Sequence, residues 1–360
     1  MSTETPQTMK AVQYHTFGGP EVLVYEDVAR PVAGPGEVLI RVFAASLYPG
    51  DWYFRSGFTN VPEPVRRFLQ SWPISLPLIP GSQASGIVEA VGPDVTAFHK
   101  GDAVYGLLRF PGSGSPAGAY AEYVTAPVEH LALKPASIDH LQAAAVPMAA
   151  LTVWQGIMEH TNLQAGQTVL VNGAAGGTGH IAVQLAKARG ARVIGVASGR
   201  HEAFLRSLGV DEFIDYTTTF LEQVADEVDV AIDTVGTMGE NSLLATIKPG
   251  GTLLWIGLHT LENGVIGTER TEAGVTIEKM QVRSNGAHLA AISELIDTGQ
   301  LRVMVDTVVP LAEARKAHER GEAGHLQGII VLRVAEEGRG LEGMSASHDM
   351  AIMTGDGNVP

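Results

Sequence analysis

The chain has 360 residues, 45% of them apolar, a formal charge of −15 and no cysteine. That length suffices for two domains of ordinary size with large cores. The negative balance argues against nucleic acid or an anionic membrane as a partner, and the missing thiols exclude disulfides, iron–sulfur clusters and thiolate zinc sites. No run of about 18 apolar residues occurs, so no spanning helix is expected. Residues 1–8 are polar and lack a signal-peptide apolar region, and the expectation is a soluble, cytoplasmic protein.

In chain order, residues 10–14 alternate as a strand, 17–21 form a Gly-Gly-Pro turn, and 22–28 give a second strand. After the rigid loop 31–37 comes a β-branched strand, 38–46. Residues 86–92 and 102–106 are short strands broken by glycine, and 119–125 adds another. Many short strands at close intervals predict a partly open β-barrel. The intervening loop, 54–80, holds Phe54, Phe58, Phe68 and Trp72; with Phe110 and the flexible 112–115 it roofs an apolar pocket or packs only on itself.

From Leu141 the pattern changes. The alanine-rich stretch 142–157 reads as helical, and helix then alternates with strand, which predicts a parallel sheet covered on both faces. Residues 228–233 and 251–257 read as strands, 243–247 as part of a helix, 286–299 as a helix returning to the first domain, and 328–334 as a last strand. Residues 336–360 are polar, glycine-rich and aperiodic, as in a disordered tail.

The central stretch is a strand, 167–172, a loop Gly173-Ala174-Ala175-Gly176-Gly177-Thr178-Gly179, an amphipathic helix and a second strand ending at Ser198-Gly199-Arg200. This is a dinucleotide-binding unit of the Rossmann, doubly wound kind, with G-x-x-G-x-x-G spacing. A pyrophosphate needs backbone N–H groups at a helix N-terminus, and side chains there would hold it off. An NAD site usually places Asp or Glu about 20 residues on, at the ribose 2′-hydroxyl. Here that place holds Ser198 and Arg200, with no carboxylate until Glu202. An Arg pairs with a dianionic 2′-phosphate and a carboxylate repels it, so the cofactor reads as NADP(H); Arg200 taken alone could equally start the next helix in solvent.

Several phrases together carry a resemblance: Gly34-Pro35-Gly36-Glu37-Val38, Ala90-Val91-Gly92, Gly101-Asp102-Ala103-Val104-Tyr105-Gly106, Gly118-Ala119-Tyr120-Ala121-Glu122-Tyr123-Val124, the glycine loop, Asp233-Thr234-Val235-Gly236 and Lys248-Pro249-Gly250-Gly251. Over residues 9–334 the chain resembles the medium-chain dehydrogenase/reductase superfamily, in its zinc-free quinone oxidoreductase (zeta-crystallin-like) branch. The resemblance implies an α/β protein with a GroES-like barrel as catalytic domain (1–147 and 289–335), a Rossmann domain (148–288) and a cleft between them. It also implies NADPH-dependent reduction of a quinone or an activated C=C bond, usually in a homodimer. The alternatives are a pathway enoyl reductase for one bulky apolar intermediate and a non-catalytic NADPH-binding protein.

Zinc relatives carry Cys-x-Ser/Thr-Asp and Gly-His-Glu phrases. Here Tyr48 stands at the cysteine place, Gly50 at the hydroxyl place and Ser82 at the histidine place, and no metal is expected. The zinc-free branch usually has Asn where this chain has Tyr48. As a catalytic residue, Tyr48 donates a hydrogen bond to a carbonyl oxygen that gains charge during hydride delivery; alternatively it is an aromatic wall. Asp51 reads as a helix cap and not as a general base. The resemblance places Thr152, as a second catalytic candidate, beside the nicotinamide, with a plain helix hydroxyl as the alternative, and Tyr216 with Ser198 and Arg200 at the 2′-phosphate. It places Val235, Gly236, Ile256, Gly257 and Leu258 at the carboxyl ends of parallel strands, where open α/β sheets hold ligands. The twelve histidines show no metal spacing; His318 and His325 read as surface or structural.

Overall fold

The computed structural model describes residues 7–59, 63, 66–67, 74–110, 118–219, 221, 227–236, 243–256 and 267–336. The aromatic-loop residues Phe68 and Trp72, the stretch 112–115, Gly257 and Leu258, and the tail from 337 lie outside them.

A first, barrel-like sheet is built on β3 (Glu37–Ser46). This strand is buried along almost its whole length and is paired by three others, β4 (Gln83–Val91), β6 (Tyr123–Pro127) and β16 (Ile329–Arg333). That explains why its sequence is nearly continuous in apolar residues. The sheet runs β15 (Val305–Pro310), β16, β3, β4, β5 (Ala103–Leu107) and β7 (Leu131–Leu133). Strands β1 (Thr8–Gln13) and β2 (Val24–Ala29) form a separate antiparallel pair. Register shifts between β3 and β4 break the ladder and curve the sheet.

The second sheet is doubly wound. Its order is β10 (Glu212–Asp215), β9 (Arg192–Ala197), β8 (Thr168–Asn172), β11 (Val228–Asp233), β12 (Ile247–Trp255), β14 (Thr276–Lys279) and β13 (Gly267–Arg270). All pairings are parallel except the antiparallel β13–β14 edge.

Three readings change. The alanine-rich stretch is two helices, α2 (His140–Ala144) and α3 (Pro147–Gln155), followed by a π turn, because Pro147 cannot continue a helix and starts the next one. Strand β12 begins at Ile247, inside the expected helix 243–247; its partner Val228 pulls it into the sheet before the Pro249-Gly250 irregularity. The stretch 305–310, not singled out in the sequence, pairs with β16 and becomes β15.

Helix α3 is buried almost all round, between both sheets and α6 (Gly286–Asp297), as expected of a helix apolar on every face. Three side-chain bonds seat the α2–α3 pair on the barrel: Ser46 Oγ donates to Ala144 O at 2.7 Å, Met148 N–H donates to Gln83 Oε1 at 2.7 Å, and Ser85 Oγ bonds His140 Nδ1 at 2.7 Å. A single parallel bridge, Gly176 with Gly328, ties the glycine loop to the start of β16. Among the described residues no helix is long and apolar enough to cross a membrane.

Candidate active site

The two sheets and α3 enclose a cleft of about 570 Å³. Its floor is the loop between β8 and α4 (Gly179–Ala188). Gly173 has φ +75°, in the left-handed region that favours glycine. Gly179 is held still more tightly, because a Cβ there would lie 2.1 Å from Gly173 O. This close approach packs the helix start onto the strand end and leaves Ala175, Gly176, Gly177 and Thr178 facing the cleft. It is the backbone cradle that a pyrophosphate requires.

Beside the loop, Asp233 organises the end of β11. Its Oδ1 accepts from Asn172 Nδ2 at 2.9 Å and from the amides of Val235 and Gly236 at 3.1 and 3.2 Å. Asn172, Thr234 and Val235 thereby line the cleft.

At one end stand Ser198, Arg200 and Tyr216. Ser198 Oγ is buried with no partner. Arg200 is exposed; it donates from Nε to His201 Nε2 at 2.9 Å and from a terminal nitrogen to His325 O at 3.3 Å. His201 Nδ1–H in turn donates to Gln327 Oε1 at 3.0 Å. The guanidinium is thus aimed across the cleft mouth toward the segment before β16. Because β10 pairs with β9 in register, Asp215 arrives opposite Ala197 and its carboxylate sits on Gly199. Hydrogen bonds from the Thr217 hydroxyl and amide, with the Gly199 amide, hold this carboxyl below the usual range. Counting along the chain found no acid there; strand pairing supplies one.

At the other end the wall is Leu47, Tyr48, Pro49 and Trp52, with Met148 and Ala149 opposite. The Tyr48 ring folds over Gly50, where a Cβ would come within 2.2 Å of Tyr48 Cε2. A side chain at Gly50 would therefore displace the ring. Burial first, and the nearby Asp51 second, push the phenol above its ordinary range. Its hydroxyl oxygen is sealed from solvent, with the buried Ser82 hydroxyl beside it. The ring, rather than the hydroxyl, borders the open cleft.

Not every expected residue comes to the cleft. Thr152 is buried, and its hydroxyl is used up on Met148 O at 2.6 Å, one turn back in α3. Ala174 is fully buried under the loop. Gly179 and Gly236 support the loops, and the Ile256 amide bonds Asp233 O at 2.9 Å while the residue packs on the core. Phe54 and Phe58 form a buried edge-on pair at 5.1 Å instead of roofing the pocket, and Phe110 packs on the core. Asn172, Trp52 and His325 line the cleft without having been singled out for it.

The comparisons fit this geometry. Residues 34–136 match the family model described as an alcohol dehydrogenase GroES-like domain, and residues 208–332 match the one described as a zinc-binding dehydrogenase. The quinone oxidoreductase of Pongo abelii is 31% identical over 86% of this chain and 93% of its own length. The chloroplastic NADPH-dependent alkenal/one oxidoreductase of Arabidopsis thaliana is 33% identical over 91% and 80%. Among solved structures, the quinone oxidoreductase from Coxiella burnetii superposes with a TM-score of 0.80 at 33% identity, covering 91% of this chain and all of that one.

The chain belongs to the medium-chain dehydrogenase/reductase superfamily, in its zinc-free quinone oxidoreductase branch. The protein is an oxidoreductase enzyme with a nicotinamide cofactor and a small-molecule substrate. The residues fit such a cofactor: the glycine cradle would hold a pyrophosphate, and the orphaned Ser198 hydroxyl would meet one sugar edge. The expected barrel and parallel-sheet domains are both present.

Proposed function

We propose that this enzyme uses NADPH to reduce a quinone or the activated C=C bond of an α,β-unsaturated carbonyl compound, without a metal. The observation that carries the proposal is the polarity of the cleft. One end offers an Arg200 guanidinium and an unpartnered buried Ser198 hydroxyl. The other is an apolar and aromatic wall of Leu47, Tyr48, Trp52 and Met148. A phosphorylated ribose suits the first and a flat unsaturated substrate the second. The places of zinc ligands hold Tyr48 and Ser82, neither of which is a ready ligand at neutral pH.

When bound, the nicotinamide supplies the hydride. The chain's own part is to fix orientation and exclude water. The glycine loop and the Asp233-ordered turn set the dinucleotide's depth, and the Tyr48 ring over Gly50 limits the substrate's approach to one face. The inward hydroxyl favours Tyr48 as wall over Tyr48 as hydrogen-bond donor.

Stopped-flow loss of NADPH absorbance against a panel of enones and quinones tests the proposal. Multiple turnovers are expected with at least one class. Silence across both, with NADPH bound, would overturn it. In the same assay Tyr48→Phe should stay within about two-fold of the parent rate; a slowing of about 100-fold would restore the donor role. A homodimer belongs to the same proposal, and sedimentation equilibrium checks it.

A further inference from the structure

Behind the Tyr48 wall lies a buried polar cluster that hydride transfer does not use. Asp51, in α1 (Pro49–Arg55), is 1% exposed. Its Oδ2 accepts the Tyr48 N–H at 3.0 Å and the Tyr120 O–H at 3.3 Å, and the Gly81 amide also donates to the carboxyl. Its Oδ1 has no hydrogen-bond partner and neither does the buried Tyr14 hydroxyl, while the buried hydroxyls of Tyr48 and Ser82 have only each other.

No described cation answers this carboxyl. Arg55, on the same helix, is spent on Glu322, on His318 Nδ1 at 2.7 Å and on Gly18 O at 3.1 Å. His318, on α7 (Ala314–Glu322), meets Tyr120 and Trp52 edge-on. Burial first, and Arg55 second, push its imidazole down to about 3, so it is neutral around pH 7.

We propose that Asp51 is a proton-sensitive positioning residue for the substrate wall: as a neutral acid it holds the Tyr48 backbone and ring in place, and its ionisation redraws that wall. The kinetic part rests on the reductase reading above. A buried carboxylate without a cation is costly, and burial raises this one to about 7 despite three hydrogen bonds that favour the charge. Neutral, the carboxyl brings one donor into a set of under-satisfied hydroxyls, while Oδ2 keeps accepting from Tyr48 and Tyr120. Ionised, it draws the phenolic O–H groups of Tyr14 and Tyr48 toward Oδ1, and the Tyr48 ring travels with its hydroxyl. The proton exchanges with solvent, and no bond in the substrate is involved.

The test compares the parent enzyme with Asp51→Asn, which keeps the size and one acceptor. Infrared difference spectra of the full chain from about pH 5 to about pH 9 should show a protonated-carboxyl carbonyl band that disappears with a midpoint near 7 and is missing in Asp51→Asn. Over the same range the substrate KM of the parent should change several-fold more than that of Asp51→Asn, while NADPH affinity follows one pH profile in both proteins, set by the 2′-phosphate. If Asp51→Asn fails to fold, Tyr120→Phe removes one donor from Oδ2 and should move the band's midpoint upward. A midpoint below about pH 5, or the same KM profile in both proteins, overturns the proposal. A band without turnover of any substrate would instead fault the reductase reading.

Discussion

The two ends of the cleft are held by different parts of the chain. At the dinucleotide end the shape comes from backbone: Gly173 in the left-handed region, Gly179 pressed on Gly173 O, and the amides of Val235 and Gly236 turned onto Asp233. At the substrate end it comes from side chains: the Tyr48 ring over Gly50, in front of the buried Asp51 carboxyl, whose Oδ1 has no partner. The backbone end has one geometry and tolerates almost no substitution. The side-chain end has several unmet hydrogen bonds and so can answer to pH and to what fills the cleft.

Variants that attack one end and spare the other test this contrast. The largest effect belongs to Gly179→Val. Its Cβ would meet Gly173 O at 2.1 Å, which is backbone and cannot yield. NADPH affinity should fall by at least about 100-fold, with a loss of about 3 kcal/mol of stability; calorimetric titration and thermal melts read both. A tolerant loop would remove the distinction between the ends.

Next comes Asp51→Asn, read by stability. Burial raises the folded value to about 7 from the ordinary 3.8. The stability linked to this proton is therefore fully present below the unfolded value and is lost as pH rises toward 7. Asn carries no charge, so above about pH 7 the variant should be more stable than the parent by on the order of 2 kcal/mol, the gap closing toward pH 4. Chemical denaturation at several pH values measures it; a variant less stable at every pH would mean the carboxylate is needed as a charge.

Arg200→Ser should weaken NADPH about 10-fold and leave NADH unchanged. The smallest effect is expected of Asp215→Asn, which removes an exposed carboxylate beside Gly199: about a three-fold gain for NADPH, seen in the same titration. An equal gain for NADH would show that Asp215 acts on the pyrophosphate charge that both cofactors share and not on the 2′-phosphate.

The backbone end was the legible one, because its signals are local. A strand, seven loop residues and a helix follow one another, and glycine spacing needs no knowledge of distant contacts. Legibility failed where the fold brings separated segments together. Asp215 reaches Gly199 through strand pairing, and Gly328 reaches the glycine loop from more than 140 residues away. The Arg55–His318 contact joins α1 to α7 across 263 positions. Thr152 had the right neighbours in sequence, but its hydroxyl turned to the nearest carbonyl of its own helix, as a buried threonine in a helix commonly does. Tyr48 was found by its place in a phrase; which way its hydroxyl points depended on Gly50, Ser82 and Asp51 together.

Parallel titration of the full chain with NADPH and NADH tests the central claim most directly. The account predicts that NADPH binds at least about 10-fold more tightly and that Arg200→Ser abolishes the difference. Equal affinities in the parent enzyme, or a preference for NADH, would contradict it.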